Sequence, residues 1–311
     1  MPELPEVTTT VKGLNEVLPH LIITDTWSDY HIGTKNKSRD VIKNKAFFDM
    51  FKKEIIGETI LSAERRAKNI LIHLTGNKTI LIHMKMTGHL LYGTYKKKSS
   101  VDSHKSTGET RETWVAEEEK LKDPFNQFIH FTLSLSNGKT LAFSDMRKFA
   151  KVTLFETGMK DSHIDLKDLG PEPLSHLTTQ SLATQLSKKP NSLIKTILMD
   201  QTIVAGIGNI YSDEILWMSG IHPERTVRTL TSMEIEKIFG AMIEVLHTGI
   251  ELGGDSMSDY RNIYGERGGF QNSHKAYRRT KQPCLKKGCS GIILRKVIGG
   301  RSAHFCNTHQ K

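Results

Sequence analysis

The chain has almost no cysteine, with three residues in 311. That scarcity excludes a disulfide scaffold and predicts a reducing compartment. It has no apolar run near the roughly 18 residues that a membrane span needs, so no membrane partner is expected. The first residues lack the basic and apolar regions of a secretory signal, which predicts a cytoplasmic protein. Acidic residues are missing from one stretch: Gln271 to Lys311 holds ten Lys and Arg and no Asp or Glu. The other 270 residues balance at 34 basic against 34 acidic, so the net charge of +10 lies wholly in that stretch. A basic excess confined in this way is the footprint of a polyanion binder. A solvated tail is the simpler alternative, but a disordered tail lacks the Cys, Phe and β-branched residues present here. The length and the 37% hydrophobic content suit two domains with real cores.

What is present begins with Met1-Pro2-Glu3-Leu4-Pro5-Glu6-Val7. Removing Met1 would leave the secondary amine of Pro2 as the terminus, a nucleophile toward an aldehyde-like carbon. Glu3 and Glu6 lie close enough in sequence to move protons. The same residues also fit a plain acidic helix start with Pro5 near its first turn. Val7, Val11, Leu14 and Leu18 follow at helical spacing, predicting a helix over 5–18.

From about Ile23 to Glu156 the pattern predicts strands. Gly76-Asn77 and Asn137-Gly138 each separate two strand-like runs, which is a hairpin signal. Several such strands suggest a sandwich or barrel-like sheet. The polar stretch 92–127 reads as a long mobile loop, and 161–175 as an interdomain linker. Beyond Thr178 the period is helical. Asn191 and Asn209 are candidate helix caps, Gly220 a helix stop, and Met233–Leu252 a third helix.

The last residues carry the sharpest motif. Cys284-x4-Cys289 and Cys306-x2-His309 are two ligand pairs separated by sixteen residues that read as a β-hairpin. They can present a closed tetrahedral set to a structural zinc. Arg301 follows the Gly299-Gly300 turn, at the hairpin tip. Gly206-Ile207-Gly208-Asn209 leads into a helix, where free N–H groups could bind phosphate, with Lys195 on the helix before it. Lys68 opens a strand within a basic cluster. Met86 and Phe149, the latter near Arg147, could wedge between bases. On the residues alone, core packing fits both of them better.

The segments MPELPEV, RRAKNILIHL, HMKMTGHLLYG, SDMRKFAKV, LGPEPLS and LMDQTIVAGIGNIYSDEILWMSGIHP occur in this order. With GGFQNSHKAYRRTKQPC and the cysteine hairpin, they closely resemble the bacterial formamidopyrimidine-DNA glycosylase family across nearly the whole chain outside 92–127. The resemblance implies an α+β fold: an N-terminal helix with an antiparallel β-sandwich, then a helix-two-turn-helix domain and a β-hairpin zinc finger. The corresponding segments would be 1–157, a linker 158–175, 176–282 and 283–311.

By the same resemblance the chain is a base-excision repair enzyme acting on damaged double-stranded DNA in the bacterial nucleoid, as a monomer without an obligate protein partner. Pro2 would attack the sugar C1′, Glu3 would shuttle protons, and Glu6 would hold the catalytic end among the DNA-facing residues. Lys68, Lys195, Asn209 and Arg301 would contact phosphates. Met86, Arg147 and Phe149 would fill the gap left by an extruded nucleotide. Leu4 favours the oxidised-purine branch over the endonuclease VIII-like one, which tends to have Gly there. A zinc-containing damage sensor without catalysis is the reading from another class. Three features depart from the family: four residues rather than two between Cys284 and Cys289, His309 in place of a fourth cysteine, and the longer 92–127 stretch. The lesion-gripping loop around Tyr260–Phe270 matches only loosely.

Overall fold

A computed structural model describes residues 1–32, 40–101 and 110–311. The N-terminal helix α1 spans Leu4–Val17 and buries Val7, Val11 and Leu14 along one stripe. Two four-stranded antiparallel sheets face each other beneath it. One has the order β1-β8-β9-β5, built from Ile23–Ser28, Ile129–Leu135, Thr140–Ser144 and His89–Gly93. The other is β10-β4-β3-β2, from Lys151–Glu156, Lys78–His83, Asn69–Leu74 and Ile60–Arg66. This is the sandwich alternative of the two sheet forms predicted.

Ile70, Ile72, Ile80 and Ile82 point into the shared core, opposite Phe131, Leu133 and Phe143. Leu71 and Leu81 point the other way and are covered by Leu166. Both faces of this hairpin are therefore buried, which is why β3 and β4 read as nearly unbroken apolar runs. At its turn Gly76 and Asn77 have φ of 65° and 57°. A two-residue turn with both φ positive matches the twist of the strands it joins. Helix α2, Lys45–Ile55, adds Phe48, Phe51 and Ile55 to the same core.

The second half is helical: α3 (Thr179–Ser187), α4 (Ile194–Leu198), α5 (Asn209–Ser219) and α6 (Ser232–Glu251). Their core gathers Leu186, Ile197, Ile215, Met242 and Val245. Leu4 of α1 belongs to this core and is fully buried, whereas Val7 and the rest of its stripe belong to the sandwich. One helix is thus seated in both halves. Gly220 ends α5 in the left-handed region at φ 76°, as its position predicts. Thr231 and Glu234 cap α6 reciprocally. The chain ends in a hairpin of β11 (Leu294–Ile298) and β12 (Arg301–Phe305). No helix among the described residues is long and apolar enough to cross a membrane.

Three expectations need correction. Within 92–127, strands β6 (Tyr95–Val101) and β7 (Thr110–Ala116) pair from Tyr95–Ala116 to Val101–Thr110. Tyr95 and Leu121 pack on Leu91, Ile129 and Ala142 in a small core of their own, so this stretch is not one long loop. Residues 102–109 of it lie outside the described residues. Lys97 pairs with Glu112, and Lys96 with Glu117, so two of the three consecutive lysines are offset locally.

Asn191 does not cap α4. The helix starts two residues later, behind Leu193, whose backbone bridges Thr226 and whose side chain packs on the terminal hairpin. Asn209 does not cap α5 either. It is the first helical residue, and the capping carboxylate comes from the far end of the chain.

Candidate active site

The carboxylate of Glu3 sits on the N-terminus of α5. It accepts hydrogen bonds from the backbone N–H of Gly208 at 2.7 Å, Ile210 at 2.9 Å and Tyr211 at 3.4 Å. An anion is stabilised there by the unpaired N–H groups and the helix dipole. The approach is so close that a Cβ on Gly208 would lie 2.4 Å from the Glu3 carboxyl carbon. The N–H groups that seemed available for phosphate are therefore held by Glu3. Beside it, the Leu4 N–H donates to the carbonyl of Gly206 at 3.0 Å.

Glu6 lies one turn along. It accepts from the N–H of Glu3 at 2.6 Å, the hydroxyl of Tyr211 at 2.6 Å and the N–H of Asp255 at 2.7 Å. Burial, followed by the charge of Glu3, pushes its carboxyl up to about 7, against the pull of those donors.

Pro2 is buried, and two openings adjoin this end of the chain. A groove of about 850 Å³ is lined by Glu3, Lys68, Asn209, Arg278 and Arg301. A small cavity of about 20 Å³ is lined by Pro2, Glu6, Thr87, Ile210 and Tyr260. Met1 and Met86 line both. Lys68, Asn209 and Arg301, singled out from distant parts of the sequence, thus meet Glu3 in one groove.

Lys68 stands in the turn between β2 and β3 with its ammonium donating to the carbonyl of Ile207 at 2.8 Å. Burial lowers its pKa, while Glu3 and Glu6 oppose that shift. The turn is fixed by Glu172, a residue that sequence spacing gave no reason to select. Its carboxylate takes Arg65 at 2.5 Å, Arg66 at 3.0 Å and the N–H of Ala67 at 2.6 Å.

Three loops share one backbone feature. Ala67, Lys85 and Lys148 have φ of 54°, 56° and 52°, and each immediately precedes Lys68, Met86 or Phe149. Non-glycine residues rarely adopt this region, and they cluster where a side chain must be aimed. Met84 is buried, but Met86 is 36% and Phe149 49% exposed, so the core-packing reading fails for both. The guanidinium of Arg147 lies 4.5 Å over the Phe149 ring. Buried Asp145 ties the Met86 and Phe149 loops together through Thr87, Tyr30 and the N–H of Ala150.

At the terminal hairpin the ligand atoms of Cys284, Cys289, Cys306 and His309 all lie within 4.8 Å of one another. Cys289 and Cys306 have their sulfurs 3.7 Å apart, and Cys284 Sγ is 3.3 Å from His309 Nδ1. Those separations approximate the edges of a tetrahedron with metal–ligand bonds of about 2.0–2.3 Å. His309 places Nε2 2.9 Å from the carbonyl of Trp217, which leaves Nδ1 for a metal. Trp217 in turn donates to Cys284 Sγ at 3.3 Å. The donor set and its outer partners therefore fit a metal ion despite the unusual spacing and the histidine.

Residues 1–152 match the formamidopyrimidine-DNA glycosylase N-terminal domain, and residues 169–261 match the helix-two-turn-helix domain of the same enzymes. The formamidopyrimidine-DNA glycosylase of Pelotomaculum thermopropionicum is 35% identical over 311 residues, covering 100% of this chain and 99% of that protein. The chain belongs to the formamidopyrimidine-DNA glycosylase family. The glycosylase of Halalkalibacterium halodurans is 34% identical with both chains fully covered. Among solved structures, a complex between Lactococcus lactis Fpg and abasic-site DNA superimposes with a TM-score of 0.80 at 29% identity, over 99% of each chain. A complex of MutM with DNA containing carbocyclic 8-oxo-G gives 0.79 at 29% identity over all of both chains.

Two residues of the glycosylase assigned to DNA are not on its surface. Lys195 is fully buried, with its ammonium 2.7 Å from Asp213 and 2.7 Å from the Ser212 hydroxyl. Asp213 also takes the ring and the N–H of His304 on β12. Lys195 thus completes a tie between α5 and the terminal hairpin, because an unpaired ammonium could not be buried there. Glu6 is 1% exposed and all its partners are internal. A lysine and a glutamate look exposed in a sequence; only the fold reveals the partners that bury them.

Glu6 makes stability depend on pH. Its folded carboxyl binds the proton more tightly than the unfolded one, at about 7 against 4.5. Its contribution is therefore fully present below the unfolded value and lost as pH rises through about 7, a loss of about 3 kcal/mol. Melting curves from pH 4.5 to 8 are expected to show this fall, and Glu6→Gln to flatten it. Parallel profiles for the two proteins would refute the assignment.

Proposed function

We propose that this glycosylase excises oxidised purines, 8-oxoguanine and formamidopyrimidines, from duplex DNA and then cleaves the strand as a lyase. The observation that carries the proposal is the placement of Pro2 and Glu3 together, at the boundary between the basic groove and the small cavity. Chemistry on a base requires the nucleotide to leave the stack, at a cost of a few kcal/mol. Met86, Arg147 and Phe149 would fill the space it leaves, while Lys68, Asn209 and Arg301 would hold the backbone. The neighbours solved with abasic-site and 8-oxo-G DNA support this choice of substrate.

With Met1 removed, the lone pair of Pro2 nitrogen would attack C1′. The C1′–N bond to the base breaks and the base leaves with a proton from water; the proton shed by the Pro2 nitrogen passes to the Glu3 carboxylate, which delivers it to the ring oxygen as the sugar ring opens. The iminium formed at C1′ acidifies the 2′ proton. Loss of that proton expels the 3′ phosphate, and a second elimination expels the 5′ phosphate, leaving a one-nucleotide gap. The four ligands at the terminal hairpin would hold one zinc ion, which supplies a structural cross-link and no chemistry. Four segments follow from this reading: catalytic 1–157, linker 158–175, DNA-gripping 176–282 and zinc finger 283–311. The protein would act as a monomer, in the cytoplasm.

Two measurements test the proposal. Borohydride is expected to trap a covalent complex with 8-oxoguanine or abasic-site DNA. Excision of 8-oxoguanine opposite cytosine is expected to exceed excision of thymine glycol by at least about tenfold, the net worth of one good hydrogen bond. Preference for thymine glycol would move the enzyme to the pyrimidine branch. No trapping by protein shown by mass to lack Met1 would leave only a DNA-binding role.

A further inference from the structure

The loop 255–270 brings Asp255, Ser258 and Tyr260 to the small cavity beside Pro2. Its near side is held by the active-site helix, since the Tyr260 hydroxyl donates to the carbonyl of Glu6 at 2.9 Å. Its far side is held by something else. Arg261 is 3% exposed, and its guanidinium uses both ends. Nη1 donates to the carbonyls of Ser258 at 3.0 Å and Tyr260 at 2.8 Å. Nε and Nη2 donate to one oxygen of Asp123 at 3.1 and 3.0 Å. The same guanidinium lies 5.1 Å over the ring of Phe125.

Asp123 and Phe125 belong to the 92–127 stretch, which is longer than the resemblance to the family leads one to expect. That stretch is anchored in its own right. Glu118 accepts the N–H of Thr94 through both oxygens, at 2.9 and 2.8 Å, and Leu121 packs in the core beneath Tyr95. It meets the loop twice more. The N–H of Tyr92 donates to the carbonyl of Ile263 at 2.7 Å. Gly265, at φ 82°, lies so close that a Cβ would come within 2.5 Å of the Lys120 carbonyl.

We propose that Arg261, docked on Asp123, is a positioning residue that uses the added stretch to hold Ser258 and Tyr260 against an extruded base. The inference rests on the glycosylase/lyase reading above. It separates two activities of one site: an oxidised base attached to C1′ would reach the loop, whereas an abasic sugar carries nothing to reach it. The added stretch is thus a fixed backing for the base-facing loop, acting through one guanidinium.

The test compares Arg261→Gln and Asp123→Asn with the parent. Removing hydrogen bonds to a charged group costs roughly 10- to 100-fold. Single-turnover excision of 8-oxoguanine is expected to fall by about that factor in Arg261→Gln, less in Asp123→Asn, with Arg261→Lys recovering part of it. Cleavage and borohydride trapping of abasic-site DNA are expected to stay within about twofold, and amide exchange over 256–264 to quicken. Equal losses on both substrates would overturn the proposal in favour of a general loss of fold. Unchanged excision together with unchanged exchange would overturn it outright. A parent that processes neither substrate would instead refute the glycosylase/lyase reading, while the exchange measurement would still decide whether Arg261 holds the loop.

Discussion

Protein that keeps Met1 is expected to form no borohydride-trapped complex, a drop of at least about 10³-fold from the processed form. The nitrogen of Pro2 is then a tertiary amide, whose lone pair is delocalised into the carbonyl and cannot attack. Geometry adds to this, because Met1 lines both the groove and the cavity and stands between them. The check is expression with methionine aminopeptidase inhibited, followed by mass measurement, trapping and a DNA-binding titration. Digestion with the aminopeptidase is expected to restore trapping in full. Efficient trapping by protein of confirmed intact mass would remove Pro2 from the reaction. The loss should be one of chemistry more than of affinity, since Lys68, Asn209 and Arg301 remain in the groove.

Removing the metal is expected to have the second largest effect. Strands β11 and β12 are five residues each, and the apolar cluster centred on this hairpin is little more than Ile298, Ala303 and Phe305. A two-stranded hairpin of that size is not stable alone. A structural zinc site contributes on the order of 10 kcal/mol, so chelation or Cys306→Ser should unfold 283–311 while both larger cores persist. All the net charge of the chain lies in residues 271–311, and the loss would disorder much of it. DNA affinity is expected to fall by at least about 100-fold, and the slope of log affinity against log salt to shrink by several units. Arg301→Ala should reduce that slope by only about one. A chelated protein with full affinity would overturn the role given to the hairpin.

What could be read from the sequence was whatever depends on near neighbours. The apolar runs of β3 and β4, the Gly76-Asn77 turn, the stop at Gly220 and the paired ligands around Cys284 and Cys306 all lie within a few residues of what determines them. The cap of α5 does not. Asn209 has the right side chain in the right place, yet Glu3 arrives from more than 200 residues away and takes the N–H groups. Lys195 and Glu6 lie off the surface for a like reason: the partners that bury them are Asp213 and Tyr211 on another helix. The stretch 92–127 looked like loop because its lysines mask the alternation that seats Tyr95 in a small core. Arg261 gave no signal at all; its role exists only once Asp123 lies beside it.

The seating of α1 in both halves has a consequence for the order in which the protein becomes dangerous. The ribosome makes Glu3 and Leu4 about 200 residues before Gly206, Gly208 and Tyr211, which hold them. At ordinary elongation rates that is a delay of roughly 10–40 seconds. Until then the amine has no fixed carboxylate, no groove and no cavity. An unfinished or truncated chain would therefore carry the proposed nucleophile without the means to aim it. On the lyase reading such a chain is harmless to DNA, because the groove is complete only once Arg278 and Arg301 have been made.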